Sequence, residues 1–80
     1  MEKNKKTRDL ADEEYLLSLG QFVAAARKKK GLSQLALSCD SGVAKSYIAE
    51  LEKGKRNPTI TTLRKLGKAL NVDIRAFLPH

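Results

Sequence analysis

The run from Leu32 to Pro58, LSQLALSCDSGVAKSYIAELEKGKRNP, restricts the fold more than any other part of the chain. Gly31 precedes it, Gly42 divides it and Gly54 closes it, so it reads as two short helices joined by a tight turn. Ser33 is a candidate N-cap, with a hydroxyl able to take a free amide of the first turn. Gly42 supplies the left-handed backbone that a sharp helix-to-helix turn requires. Beyond it, Val43, Ile48 and Leu51 share one helical face and are expected to point inward. Lys45, Ser46, Ala49 and Glu50 fall roughly opposite. Gly54 then ends the second helix as its C′ residue. A helix with small or polar outer residues near its start can enter the major groove of DNA, which is wide enough to admit one.

Length and charge narrow the setting. Eighty residues, 41% hydrophobic and 31% charged, make one small domain whose core is marginal without efficient helix packing or a partner. A formal charge of +7 and a pI near 9.8 favour a polyanionic partner, nucleic acid above all. No segment is basic on one face and strongly apolar on the other, which argues against a membrane surface. No apolar run approaches the roughly 20 residues of a membrane span. The start, MEKNKKTRDLADEE, lacks the apolar centre of a signal peptide. The single cysteine, Cys39, excludes an internal disulfide framework, and the chain reads as cytoplasmic. Cys39 is expected to pack as a small hydrophobe. His80 stands alone at the terminus, so neither a metal site nor a cofactor is expected.

The Leu32–Pro58 run resembles the helix-turn-helix of phage-repressor-like DNA-binding proteins, the Cro/lambda-repressor-like or XRE family. Leu32-Ser33-Gln34 opens the first helix, Gly42-Val43 makes the turn, and Ser46-Tyr47-Ile48 lies early in the second. Glu52 and Gly54 close it ahead of Lys55-Arg56-Asn57-Pro58. The spacing from Gln34 through Gly42 to Gly54 fits the family pattern without insertion or deletion. The helix-turn-helix then covers about residues 33–53, with residues 44–53 as the helix that enters the groove.

The flanking sequence agrees with an all-α domain. Residues 1–8 are polar and mainly basic and read as a flexible tail, either a solvated end or an arm that follows DNA. From Asp12, a possible cap, the pattern turns helical. Glu13 and Glu14 suit the positive end of the dipole, and Leu16, Leu19, Val23 and Ala26 form one stripe. Lys28-Lys29-Lys30 suits the negative end before Gly31 stops this first helix of about 18 residues. Thr59 caps a fourth amphipathic helix carrying Ile60, Leu63, Leu66 and Leu70, and Asn71 follows in the place of a left-handed C′ residue. Asp73 opens a last short helix from Ile74 to Leu78, which Pro79 terminates. No strand-type alternation or repeat occurs. Five helices in a compact lambda-repressor-like domain over residues 9–80 are expected.

The resemblance also implies roles, position by position. Lys45, Ser46, Ala49 and Glu50 stand where relatives read bases. The chemistry suits: lysine can donate to guanine, serine to several bases, alanine can touch a thymine methyl, and glutamate can accept from cytosine N4. Against that, an outward carboxylate is repelled by phosphates, and Glu50 could instead pair with Lys53 or Lys45 along the helix. Ser33, Gln34 and Tyr47 are placed at the sugar-phosphate backbone. Gln34 offers both donor and acceptor and could brace the second helix as well. Lys53, Lys55, Arg56 and Asn57 stand in the loop that grips phosphate, where charge matters more than exact geometry. Arg27 and Glu52 are implied as a structural ion pair between the first and third helices, bidentate because a planar guanidinium permits it.

The chain also departs from the pattern. Ala44 replaces the usual serine or threonine cap, at a cost of roughly 1 kcal/mol. Leu35 and Ala36 replace polar or acidic residues, Ser38 replaces a core alanine, and Phe22 lies at a usually polar position. Exposed Leu35 or Phe22 would suggest a partner surface. Gly67, where alanine is more usual, either weakens the fourth helix or permits a close approach. The leading expectation is a sequence-specific transcriptional regulator, a repressor or autoregulator, binding double-stranded DNA as a homodimer on a two-fold operator. With no second domain to sense a ligand, it is similar to stand-alone restriction-modification controllers or phage repressors. The competing expectation is an antitoxin or other protein-interaction module docking through Leu35, Phe22 and the Phe77-Leu78 end. An enzyme is not expected: there is no internal histidine, no nucleophile-base spacing and no phosphate-cradling glycine loop.

Overall fold

A computed structural model describes the backbone of residues 2–77 and the side chains from residue 13 to residue 77. Four α-helices, α1 (Glu2–Lys29), α2 (Gln34–Ser41), α3 (Lys45–Glu52) and α4 (Ile60–Leu70), are followed by a 3₁₀ turn over Ile74–Phe77. Among the described residues there is no strand. The domain is all-α, and the fifth expected helix is the 3₁₀ turn. Its expected end at Leu78 and Pro79, and His80, lie outside the described residues.

The ends of the helices follow local chemistry. The Ser33 hydroxyl accepts from the Ala36 amide at 3.0 Å, and that of Thr59 accepts from Thr62 at 3.1 Å, as N-caps do. Gly42, at φ 77°, closes α2 with a single bond from its amide to the Ser38 carbonyl. At the end of α3, Gly54 donates to Leu51 and Lys55 to Glu50, the paired bonds of a Schellman motif. Asn71, at φ 58°, ends α4 in the same way: its amide bonds Lys68 and that of Val72 bonds Gly67.

The first helix differs from expectation. It begins at Glu2, ten residues before the anticipated cap at Asp12, so the segment read as a flexible tail is helical from Glu2 onward. Residues 2–11 contain no glycine or proline and several good helix formers, so nothing in them stops the helix earlier. Lys30 also has an unforeseen use. Its ammonium donates to the Ala69 carbonyl of α4 at 2.7 Å, offsetting the negative end of that helix.

One core joins every element. Leu19 and Val23 of α1, Leu37 of α2, Val43 of the turn, Ile48 and Leu51 of α3, Leu63, Leu66 and Leu70 of α4, and Phe77 are all buried. Leu16 and Ala26 pack against its edge. α1 lies on α3, and α2 bridges α3 and α4. Tyr15 ties α1 to the closing turn, donating from its hydroxyl to the Phe77 carbonyl at 2.7 Å. Burial raises the pKa of this phenol above its ordinary value, because the charged form loses water.

Two glycines let backbones approach closely. At Gly20 a Cβ would stand 2.8 Å from the Glu52 carbonyl oxygen and nearer still to that of Leu51, so α1 crosses the end of α3 where no side chain fits. Gly67 faces the Val72 carbonyl, 2.8 Å from where its Cβ would be. This is the close approach that its departure from alanine allowed.

Cys39 is exposed rather than packed. It lies two residues beyond the buried Leu37, about 200° around the helix, and so points away from the core.

Candidate nucleic-acid interface

The inward face of α3 fixes its outward face. Ile48 and Leu51 are fully buried and Val43 nearly so, which leaves Lys45, Ser46 and Glu50 exposed and Ala49 half-buried on the other side. The turn before α3 is held by the Ser41 hydroxyl, which accepts from the Val43 amide at 3.1 Å. Ala44 is the N-cap of α3 and offers no side-chain bond. The first amides of α3 are therefore left without a side-chain partner at the end that would face DNA.

A buried ion pair anchors the other end of α3. Arg27 is 9% exposed, and its Nε and Nη2 donate to the two carboxylate oxygens of Glu52 at 2.7 and 3.0 Å. Nη1 donates to the Leu32 carbonyl at 2.8 Å. Gln34 completes the cluster by donating from Nε2 to Glu52 Oε1 at 3.0 Å. One guanidinium thus joins α1, the α1–α2 connection and α3, while Gln34 joins α2 to α3. Gly20 makes this possible: seven residues before Arg27 it lies on the same face of α1, and its missing side chain brings that face within reach of Glu52. Burial alone would raise the Glu52 pKa, but hydrogen bonds from Arg27 and Gln34, with the charges of Arg27 and Lys28, lower it below the ordinary value. The hydrogen bond with Glu52 raises the Arg27 pKa, burial opposes that, and the carboxylate charge reinforces it. Both groups remain charged.

Polar and cationic residues follow α3. Lys53, Lys55, Arg56 and Asn57 are all exposed in the segment leaving it. Ser33 is exposed at the start of α2, and Gln34 beside it is half-buried. Tyr47 is half-buried, with the Arg56 guanidinium 5.2 Å from its ring centroid. The partner of Glu50 differs from expectation. Its carboxylate accepts from Arg56 Nε at 2.7 Å, and no bond joins it to Lys53 or Lys45. The Schellman turn at Gly54 folds the chain back, so a residue six positions on reaches Glu50 more directly than its helical neighbours do.

Other residues emerge only in three dimensions. Thr62 and Lys65 of α4 line a hollow of about 200 Å³ with Gly42, Ala44 and Tyr47, beside the start of α3. Arg64 and Lys68 lie with Lys65 and Thr61 around a neighbouring depression. From Lys53 to Asn71 there is no acidic residue, a run that was visible in the sequence but whose relation to α3 was not. Leu35 is 58% exposed. Phe22, at 37%, is partly taken up by an edge-to-face contact with Phe77, centroids 5.3 Å apart. Phe77 itself is buried and so unavailable as the docking surface that the protein-interaction alternative placed there; Leu78 lies outside the described residues. No cluster of three or more histidine, cysteine, aspartate or glutamate side chains that could hold a metal occurs among the described residues. No described helix is long and apolar enough to cross a membrane.

A capped α2, a left-handed glycine turn and a groove-sized α3 with an open polar face define a helix-turn-helix protein. The chain belongs to the helix-turn-helix family HTH_3, of the XRE type, whose pattern it matches over residues 23–77. It is 43% identical over 54 residues to the uncharacterized HTH-type transcriptional regulator y4dJ of Sinorhizobium fredii, a match covering 68% of this chain and 70% of that one. It is 31% identical over 62 residues to the immunity repressor protein of Bacillus phage phi105, covering 78% of this chain but only 43% of the repressor. The structure resembles the restriction-modification controller protein C.AhdI of Aeromonas hydrophila with a TM-score of 0.76 and 36% identity, over 79% of this chain and 96% of that one. The protein is accordingly a DNA-binding transcription regulator, of a family that is not an enzyme family.

Proposed function

We propose that the protein is a sequence-specific repressor or autoregulator that binds a two-fold operator as a homodimer, with α3 of each copy in the major groove, and that it works in the cytoplasm. Lys45, Ser46 and Ala49 touch base edges, with Lys45 donating to guanine and Ala49 meeting a thymine methyl. Ser33, Gln34, Tyr47, Lys53, Lys55, Arg56 and Asn57 meet the backbone on either side. The observation that carries this reading is the outer face of α3. The Lys45 and Ser46 side chains are exposed and make no hydrogen bond among the described residues, although Ile48, Leu51 and Glu52 of the same helix are held by the core and the Arg27–Glu52 pair.

A dimer is part of the proposal because one helix reads only a few base pairs, and two copies supply the specificity a genome demands. Selection of bound sequences from a random DNA pool tests the reading. A palindromic consensus is expected, bound more weakly as salt rises. Failure to enrich any sequence, or affinity indifferent to salt, would overturn it. With an operator in hand, Lys45→Ala should relax preference at one position of each half-site, whereas Lys55→Ala should weaken operator and random DNA alike.

A further inference from the structure

We propose that Glu50 is a specificity-determining positioning residue, which holds the Arg56 guanidinium against Tyr47 and so withholds that charge from DNA of arbitrary sequence. The proposal rests on the DNA-binding function above and deepens it.

Glu50 controls the segment after α3 in two ways. Its backbone carbonyl accepts from the amides of Lys53 and Lys55 at 3.1 and 2.9 Å, which fixes the turn at Gly54. Its carboxylate accepts from Arg56 Nε at 2.7 Å. Tyr47 and Glu50 are three residues apart and share one side of α3. The same guanidinium therefore lies over the tyrosine ring, 5.2 Å from its centroid, and against the carboxylate. Arginine suits this double role because it can stack and donate at once.

The pair is open to solvent, the side chains of Arg56 and Glu50 being 50% and 48% exposed. A phosphate can therefore compete for the arginine. In the free protein the carboxylate cancels the Arg56 charge beside the groove-facing surface and leaves Lys53 and Lys55 as the uncompensated cations of the segment. Non-specific affinity grows with each phosphate neutralised, so a paired arginine lowers it. On the operator, base contacts fix the register of α3, and an arginine already held in place meets its phosphate with less conformational entropy to lose.

The test compares wild type, Glu50→Gln, Arg56→Gln and the double variant. Each is measured on the selected operator and on random duplex over a range of salt, alongside the Arg56 Nε–H signal in NMR spectra of the free proteins. All these positions are exposed, and far-UV circular dichroism checks that the fold is retained. The signal should exchange slowly with water in wild type and rapidly in Glu50→Gln. Glu50→Gln should bind random duplex about fivefold more tightly at physiological salt, with a salt slope steeper by about 0.9, the effect of one more phosphate contact. Its preference for operator over random DNA should fall by a similar factor, and the gain should vanish in the double variant.

An arginine signal identical in wild type and Glu50→Gln would overturn the proposal. So would a gain that survives in the double variant, since the carboxylate would then act by its charge alone. A large loss on operator with random binding unchanged would show instead that Glu50 reads a base. Wild-type protein that binds no DNA even at low salt would overturn the DNA-binding function itself, whereas these other results, with operator binding intact, overturn the role of Glu50 alone.

Discussion

Removing one member of the Arg27–Glu52 pair should destabilise the domain far more than removing an ordinary surface charge. The Arg27 and Glu52 side chains are only 10% and 8% exposed, and they meet through two hydrogen bonds, with further bonds to Leu32 and Gln34. Arg27→Met leaves a buried carboxylate with Gln34 as its remaining partner, and breaking a buried pair in this way costs about 3–5 kcal/mol. A domain of this size has a total stability of about 4–12 kcal/mol, and each kcal/mol moves the melting temperature by about 4–8 °C. Arg27→Met should therefore lower the melting temperature by at least about 12 °C or leave the chain unfolded. Glu52→Gln, which preserves volume but turns an amide toward the arginine donors, should lose about 1.5–3 kcal/mol.

The double variant Arg27→Met/Glu52→Leu should be more stable than Arg27→Met, because no charge is then stranded. Urea unfolding followed by circular dichroism at neutral pH measures all four proteins. The pH dependence adds a check. The folded pKa of Glu52 is lowered, so its contribution is fully present above the ordinary glutamate pKa and is lost as pH falls through the lower, folded value. The gap between wild type and Glu52→Gln should close over that interval. Single variants that cost less than about 1 kcal/mol would show that the pair behaves as a solvent-screened surface pair and would refute the reasoning.

Four further substitutions probe the frame of the site. Ala44→Ser supplies the missing cap of α3 and should stabilise the domain by about 1 kcal/mol in thermal unfolding. Gly42→Ala meets nothing within 4 Å, so it should cost only the left-handed backbone penalty of about 1–2 kcal/mol. Gly20→Ala pushes a methyl group into the carbonyls of Leu51 and Glu52 and should lose at least about 1–3 kcal/mol by overpacking, with weaker DNA binding because α3 shifts. Tyr15→Phe removes the bond to the Phe77 carbonyl and should cost about 1 kcal/mol, detected as earlier unfolding in urea.

Local chemistry alone determined the frame of this protein. A hydroxyl at residue 33 or 59, and glycine or asparagine at residues 42, 54 and 71, set helix ends through bonds made within one turn. Their meaning therefore survives without knowledge of what lies across the core. The inward residues of α3 were legible for the same reason, since a period of 3.6 residues assigns them to one face whatever packs against it, and its outer face followed. What required the tertiary structure were relations between residues distant along the chain or across a reversal. Gly20 has no local signature, because its purpose is to admit the carbonyls of a helix more than thirty residues further on. Glu50 found Arg56 instead of a helical neighbour because the turn at Gly54 decides which side chain comes back. Periodicity marked α1 from Asp12 and missed its start at Glu2, since helical backbone needs no apolar face to continue. Sequence thus specified each helix and the face it turns outward, and packing decided how closely the helices meet and which charges they hold together.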